Sequence, residues 1–209
     1  MARNLTHFIS IPLMSAQFTA SLEAFRPVVA KHGLSPLSIR SPRSMHFTLG
    51  ILNLPGETEI SRAVQVLEEL KSKEILANLE NSNPRTVCIR GLYSLDRPAR
   101  TAALYAWRQP PVGWLQNLCV AVEKHFFDNK VIHHSNRKEL VLRPTIWNNV
   151  HMKDRGGQRV DARALIAEYK GRRVWADQVP IDKVQICRMG MVGDEGDKHF
   201  AVEAEVSLD

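Results

Sequence analysis

Residues 45–52 read Met45-His46-Phe47-Thr48-Leu49-Gly50-Ile51-Leu52, a run of strand-forming side chains that ends before Pro55-Gly56. Successive side chains of a β-strand point to opposite faces. His46 and Thr48 therefore share one face, about 7 Å apart along the strand, and the neighbouring Met45, Phe47 and Leu49 share the other. The pattern predicts a strand with one face packed on a core and one polar face.

An imidazole beside a hydroxyl on one strand face is suited to binding a phosphoryl oxygen, because both groups can donate hydrogen bonds to it. Histidine can also transfer a proton near neutral pH. The same His-x-Thr spacing arises where two polar side chains simply line a half-solvated sheet. Taken by itself, the motif leaves both interpretations open.

Hydrophobic periodicity on either side of this strand predicts strands interleaved with helices. The alternating strands favour antiparallel sheets and an α+β fold, and the order of elements roughly repeats, which suggests two similar lobes facing each other. The predicted elements are strand 8–13, helix Ala16–Lys31 with a stop at Gly33, strand 45–52, a helix capped by Thr58, strands 86–92 and 103–107, a helix over 115–128, strand 140–147, a helix over 161–169, and strands 184–189 and 200–206.

The composition is that of a folded globular protein, with 209 residues, 44% hydrophobic and 24% charged, which excludes disordered and collagen-like classes. Twenty-eight Lys and Arg against 22 Asp and Glu leave a net charge of +6, a modest bias toward anionic partners such as nucleotides or RNA. Three widely spaced cysteines predict neither a disulfide framework nor a cysteine zinc site. The sequence has no signal-peptide pattern and no membrane-spanning run, so we expect a cytoplasmic or nuclear protein with no membrane partner.

Three blocks of the sequence resemble the successive blocks of the two-histidine (2H) phosphoesterase superfamily: residues 6–13, residues 45–52, and residues 146–154. Within it, the chain is most similar to the phosphoesterase-like domain of the A-kinase anchoring proteins and of a subunit of the activating signal cointegrator complex. The resemblance implies a single RNA ligase-like domain over residues 1–209, without a separate KH module, whose two pseudo-symmetric lobes enclose a central cleft. It also implies protein partners in a nuclear complex.

The resemblance further implies chemistry on 2',3'-cyclic or 2',5'-linked phosphodiesters, with no metal and no cofactor. Each lobe of such a fold contributes one His-x-Thr or His-x-Ser motif. The first is His46 with Thr48. Where the second is expected, the sequence reads Arg143-Pro144-Thr145, so the threonine is kept and an arginine replaces the histidine.

This replacement changes the expected chemistry. Arginine does not titrate near neutral pH, but its planar donors bind phosphate and stabilise a charged transition state. We therefore predict His46 as the proton-transfer residue, Arg143 as an electrostatic clamp, and Thr48 with Thr145 as phosphate hydrogen-bond donors. His151 lies too far along an extended strand to substitute, whereas His133 and His134 precede that strand in a loop that could fold over the cleft.

Three functions remain open at this point. The chain is a hydrolase of nucleotide or RNA-end phosphodiesters, a module that binds a nucleotide monophosphate or an RNA end with a terminal or cyclic phosphate, or a protein-interaction scaffold derived from such an enzyme.

Further residues are predicted to line the cleft or its approach. Phe8 and Ser10 share the strand face opposite Ile9 and would meet the ligand, with base stacking by Phe8 weighed against ordinary packing. Arg43 belongs to basic clusters that flank the motifs, and either binds substrate as part of an anion funnel or is solvated surface. The scattered tryptophans are interpreted mostly as core or lobe-interface residues, namely Trp107, Trp114, Trp147 and Trp175.

Overall fold

The computed structural model describes residues 5–72, 85–109, 113–132, 140–150, 158–170, 173–194 and 197–208. This part of the chain forms two four-stranded antiparallel sheets and four α-helices. The elements are β1 His7–Pro12, α1 Ala16–Lys31, β2 His46–Leu52, α2 Glu57–Glu68, β3 Thr86–Tyr93, β4 Ala103–Gln109, α3 Gly113–Asp128, β5 Thr145–Asn148, α4 Arg163–Tyr169, β6 Val174–Pro180, β7 Lys183–Val192 and β8 His199–Ser207.

Helix α1 shows how closely local sequence sets an element. The Ser15 hydroxyl accepts a hydrogen bond from the amide of Phe18 and caps the helix N-terminus. The apolar side chains at helical spacing are all buried. Past the last turn, Gly33 adopts a φ of +72°, a conformation that glycine reaches without a steric penalty. The predicted bounds of α1 are therefore confirmed.

The two sheets have matching architectures. The first sheet has the strand order β2-β1-β7-β8, and the second has the order β5-β4-β3-β6. In each sheet, one strand is followed by a helix and then by an edge strand that pairs with the first strand. The unit β1-α1-β2 of the first sheet therefore corresponds to β4-α3-β5 of the second. His46 and Thr48 consequently lie on one edge strand, and Thr145 begins the corresponding edge strand of the other lobe, two residues after Arg143. The α+β class with two pseudo-symmetric lobes is confirmed.

Several predicted boundaries were wrong. Thr58 lies inside α2, and Gly56 occupies the N-cap position in an extended conformation, followed by Glu57 and Glu59 in the first turn, where carboxylates favour the helix dipole. The strand predicted over 140–147 begins only at Thr145, because Pro144 has no amide hydrogen to donate to a ladder. Its carbonyl does accept a bond from the Ala106 amide at 3.1 Å.

Strand β6 was not predicted. Its sequence places Asp177 and Gln178 side by side, which interrupts the alternation, and Gln178 has a φ of +52°. The strand forms because it pairs along β3 and buries Trp175 and Val179. Tertiary pairing overrides the local signal here.

The segment between α1 and β2 joins the two lobes. Ile39 forms an antiparallel bridge with Trp147 of β5, and the Arg40 amide donates to the Ile146 carbonyl at 2.9 Å. The Trp147 indole donates to the Ser35 carbonyl, also at 2.9 Å. The connecting segment therefore covers the outer edge of β5, and it fixes Arg40 beside the second sheet, only six residues before His46.

Within the described residues, no helix is long and apolar enough to cross a membrane. All three cysteines are free, as their spacing predicted.

Candidate functional site

His46 and Thr48 are in direct contact. The Nδ1 atom of His46 lies 2.7 Å from the Ser44 carbonyl oxygen, and Nε2 lies 3.1 Å from the Thr48 hydroxyl oxygen. A carbonyl only accepts hydrogen bonds, so Nδ1 carries the proton of the neutral ring and Nε2 accepts from Thr48. The basic lone pair of His46 is therefore on Nε2, where it accepts from Thr48 on the strand face that the two residues share.

Aromatic rings surround this imidazole. The Phe8 ring of β1 lies 4.9 Å away between centroids, and the Phe200 ring of β8 meets it edge-on at 5.3 Å. Burial lowers the pKa of His46 to about 4; the Ser44 carbonyl opposes the shift, and the Arg40 charge adds to it. His46 is consequently neutral at physiological pH in the free protein, a state suited to accepting a proton rather than donating one.

The second motif has a different environment. Arg143 precedes β5, and its guanidinium carbon lies 5.3 Å from the centre of the Tyr105 ring, within cation–π range. Thr145 is in register with Tyr105, which in turn is in register with Tyr93. Burial raises the pKa of Tyr93, and the Arg143 charge opposes that rise. Arg143 and Thr145 thus lie with two tyrosines at the edge of the second sheet.

Arg40 connects the two motifs. Its positive charge contributes to lowering the pKa of His46 of the first sheet, while its own guanidinium donates to the sulfur of Met191 at 3.5 Å. Burial lowers the pKa of Arg40 itself, and Tyr105 partly offsets this. Since its backbone is bonded to β5 and its charge acts on His46 of β2, Arg40 is linked to both motif-bearing strands.

The predicted ligand contacts on β1 are largely covered. Phe8 is 5% exposed, and its ring packs against both His46 and Phe200. Ser10 is 1% exposed, with its hydroxyl 3.5 Å from the Cys187 sulfur. Phe8 thus packs directly on the His46 ring, whereas the side chain of Ser10 contacts Cys187 of β7. Their direct contact with a ligand stays a prediction.

Arg43 is exposed at the surface and forms an ion pair with Asp197 at 2.7 Å. Its role in substrate binding also stays a prediction. The candidate rescue residues His133, His134 and His151 lie outside the described residues, as do the basic residues near them. Among the residues that the structure describes, no cluster of three or more His, Cys, Asp or Glu side chains could hold a metal ion.

Comparison with known proteins identifies the family of this chain. The family described as AKAP7 2'5' RNA ligase-like domain matches residues 5–208. The chain belongs to this family. The AKAP7 2'5' RNA ligase-like assignment covers both motif-bearing edge strands, and it confirms the resemblance seen in the sequence blocks.

Two relatives of the AKAP7 2'5' RNA ligase-like chain were found at moderate identity. An uncharacterized protein of Schizosaccharomyces pombe is 23% identical over 207 residues, covering 96% of this chain and 95% of its own length. Activating signal cointegrator 1 complex subunit 1 of Mus musculus is 28% identical over 107 residues, which is 48% of this chain and 30% of the mouse protein.

Solved structures confirm the fold of this AKAP7 2'5' RNA ligase-like domain. The E. coli LigT complex with NADP+ superposes with a TM-score of 0.57 at 13% identity, covering 98% of this chain and 97% of LigT. The LigT complex with 3'-AMP gives 0.54 at 15% identity, covering 98% of each chain.

Sequence reasoning missed the aromatic side chains of the second sheet. Trp107 is 39% exposed, and it stacks on Tyr93, although it was interpreted with the other tryptophans as a core or interface residue. Trp147 and Trp175 are buried, as expected. The alternation of Tyr105 and Trp107 along one strand was the available signal, since it places two rings on one sheet face.

Proposed function

We propose that this domain binds the phosphate of a nucleotide monophosphate, or of an RNA end with a terminal or cyclic phosphate, between the His46–Thr48 and Arg143–Thr145 motifs. The observation that carries the proposal is the position of Arg40: its amide donates to the Ile146 carbonyl of β5 at 2.9 Å in one lobe, and its charge contributes to lowering the pKa of His46 in the other. Membership of an RNA ligase-like family and the nucleotide complexes of LigT support the same ligand class.

The described groups suit a phosphoryl ligand. Thr145 supplies a hydroxyl donor, and Thr48 supplies another when its hydroxyl turns from His46 Nε2 to the ligand, which also frees Nε2 to accept a proton. Arg40 and Arg143 supply two cations that favour a dianion and the charge that develops on it during reaction. The positive charge near His46 also lowers its pKa in the free protein. A bound phosphate opposes this effect, because an anion next to the imidazole favours its protonated form.

This constellation performs one half of an acid–base reaction on a 2',3'-cyclic or 2',5'-linked phosphodiester. His46 Nε2 accepts the proton of the attacking hydroxyl or water, and the new P–O bond forms as the bond to the leaving oxygen breaks. That oxygen needs a proton, which Arg143 cannot supply near neutral pH. We therefore propose binding with slow turnover, in which water protonates the leaving group.

A domain that only binds nucleotides is the second candidate, and the arginine at position 143 is the observation that favours it. A panel of 2',3'-cyclic nucleotides and 2',5'-linked oligoadenylates, assayed with a chelator, separates the two. Slow cleavage that His46→Ala abolishes supports the phosphoesterase. Binding of AMP without product supports the domain that only binds nucleotides. A protein that neither binds nor cleaves these ligands overturns both candidates and leaves the protein-interaction scaffold.

We also propose protein partners for this chain, supported by its relative that is a subunit of a complex, and a nuclear or cytoplasmic location, which stays a prediction. Fractionation of cells expressing the tagged chain, followed by size analysis of the nuclear fraction, tests this proposal. A chain that elutes as free monomer from every fraction contradicts it.

A further inference from the structure

A run of three aromatic rings, of which one pair is stacked, lies beside the Arg143 motif. The Tyr93 and Trp107 rings are 4.5 Å apart between centroids and inclined by only 9°. The Tyr105 ring lies 5.9 Å from Tyr93, and the Arg143 guanidinium lies over Tyr105. Trp107 is 39% exposed, so this aromatic surface is open to solvent at the end remote from Arg143.

A local irregularity of β3 creates the stack. Arg90 is in register with Trp107, and Tyr93 is in register with Tyr105, so β3 has one residue more than β4 between the two pairs. The extra residue forms a β-bulge, and the bulge includes Gly91, whose φ is +65°. Arg90 and Tyr93 are three residues apart, so in a regular strand their side chains would point to opposite faces of the sheet. The bulge brings both to the same face.

Buried hydrogen bonds fix the bulge. The Gly91 carbonyl accepts from the indole of Trp175 at 2.6 Å, and the Gly91 amide donates to the Arg173 carbonyl at 2.8 Å. Trp175 is 1% exposed, so the bulge is tied to the core. The position of Tyr93 on the open face is therefore a fixed feature of the fold.

Arg90 lies at the end of the rings opposite Arg143. Arg90 is half-buried beside Trp107, and its Nε atom has no hydrogen-bond partner among the described residues. Beyond it, Cys88 interacts with both Arg90 and the Asp177 carboxylate, which brings a negative charge to that end. Along the face, the order is thus Arg143, three aromatic rings, and Arg90 with the Asp177 carboxylate beyond it.

We propose that this surface is a track for single-stranded RNA, extending the phosphate site proposed above and resting on it. One phosphate lies at Arg143 and His46, its base stacks on the Trp107–Tyr93 pair, and the next phosphate lies near Arg90. Alternating cations and aromatic rings are typical of surfaces that bind single strands, because every base has a face that stacks. The track therefore tolerates all four bases, and it excludes duplexes, whose base faces are already stacked.

Calorimetric titration with three ligands tests the track: ribose 5-phosphate, AMP, and the 5'-phosphorylated dinucleotide pApA. We expect affinity to rise in that order. Trp107→Ala lowers the affinity for AMP by roughly 5- to 150-fold, the range measured for one stacked base, and leaves ribose 5-phosphate unchanged. Trp107→Phe retains most of the affinity. Phe127→Ala removes an exposed ring from α3 on another surface and serves as the matched control.

Arg90→Gln tests the second phosphate position. It lowers the affinity for pApA toward that for AMP and leaves AMP itself unchanged. Equal affinities of the wild-type protein for AMP and ribose 5-phosphate overturn the track while keeping the phosphate site. An AMP affinity that Trp107→Ala leaves unchanged also overturns the track while keeping the phosphate site. If none of the three ligands binds, the proposed function fails together with the track.

Discussion

The Thr48 hydroxyl donates to His46 Nε2 at 3.1 Å, while the Nδ1–H of the same ring donates to the Ser44 carbonyl. These two bonds select one tautomer and one ring orientation before any ligand arrives. The backbone of β2 thus presents a neutral base to the site, and preorganisation of this kind is what proton transfer requires.

The first prediction concerns the titration of His46. In the free protein its imidazole should titrate near pH 4, since burial between Phe8 and Phe200 disfavours the charged ring. Saturation with AMP should raise that pKa toward neutrality, because the phosphate is an anion. NMR titration of the ring resonances, assigned with His46→Gln, measures both values. A pKa near 6.5 that AMP does not change would contradict the site.

The second prediction separates the two effects of Arg40. Arg40→Gln should raise the pKa of His46, because the Arg40 charge contributes to lowering it. The same change should weaken AMP binding by several fold, since one of two cations is removed. Arg26→Gln, a change to an arginine paired with Glu23 on the surface of α1, is the control. Unchanged His46 titration in Arg40→Gln would show that the two side chains are not coupled.

The third prediction concerns turnover. Arg143→His supplies a group that can donate a proton to the leaving oxygen, so cleavage of a 2',3'-cyclic nucleotide should increase by about 100-fold or more. Arg143→Ala should instead weaken binding, and more so at low salt, because the clamp is electrostatic. Product formation by chromatography gives the first value and calorimetry the second. If Arg143→Ala binds as tightly as the wild type, position 143 does not contact the phosphate.

The fourth prediction is the pH dependence of stability. The pKa of His46 is about 4 in the folded chain and 6.5 in its unperturbed state. Between these two pH values the unfolded chain therefore binds a proton at His46 that the folded chain does not bind. The free energy of unfolding should therefore be highest above about pH 6.5 and fall as the pH decreases toward 4, by up to about 3 kcal/mol from this residue. Urea unfolding at pH 7.5 and 4.5 measures the loss. A His46→Gln variant with the same loss as the wild type would contradict the assignment.

The fifth prediction concerns the bulge in β3. Gly91→Ala places a side chain at a φ of +65°, so it should destabilise the fold by about 1 kcal/mol or more and weaken AMP binding through displacement of Tyr93. Gly113→Ala is the matched control, because Gly113 begins α3 with a negative φ and no atom within 4 Å of the added methyl group. Equal stability of the two variants would show that the bulge is not strained by a side chain.

The fold and half of the candidate site could be predicted from the sequence. The His46–Thr48 face follows from alternation along one strand, and α1 follows from its cap, its apolar spacing and its terminal glycine, all of which are local signals. Strand β6 was missed because its pairing partner, rather than its own pattern, defines it. Its formation matters to the site because Trp175 holds the Gly91 bulge.

Sequence alone determined which side chains share a strand face, because a period of two or 3.6 residues is a property of the backbone. It also predicted, through the family resemblance, that Arg143 stands where a histidine is expected. Only the tertiary structure decided the charge state of His46, since Phe8 and Phe200 reach it from other strands, and only strand register brought Tyr93 onto Trp107. Burial and register depend on which elements become neighbours, and no local stretch of the chain specifies that.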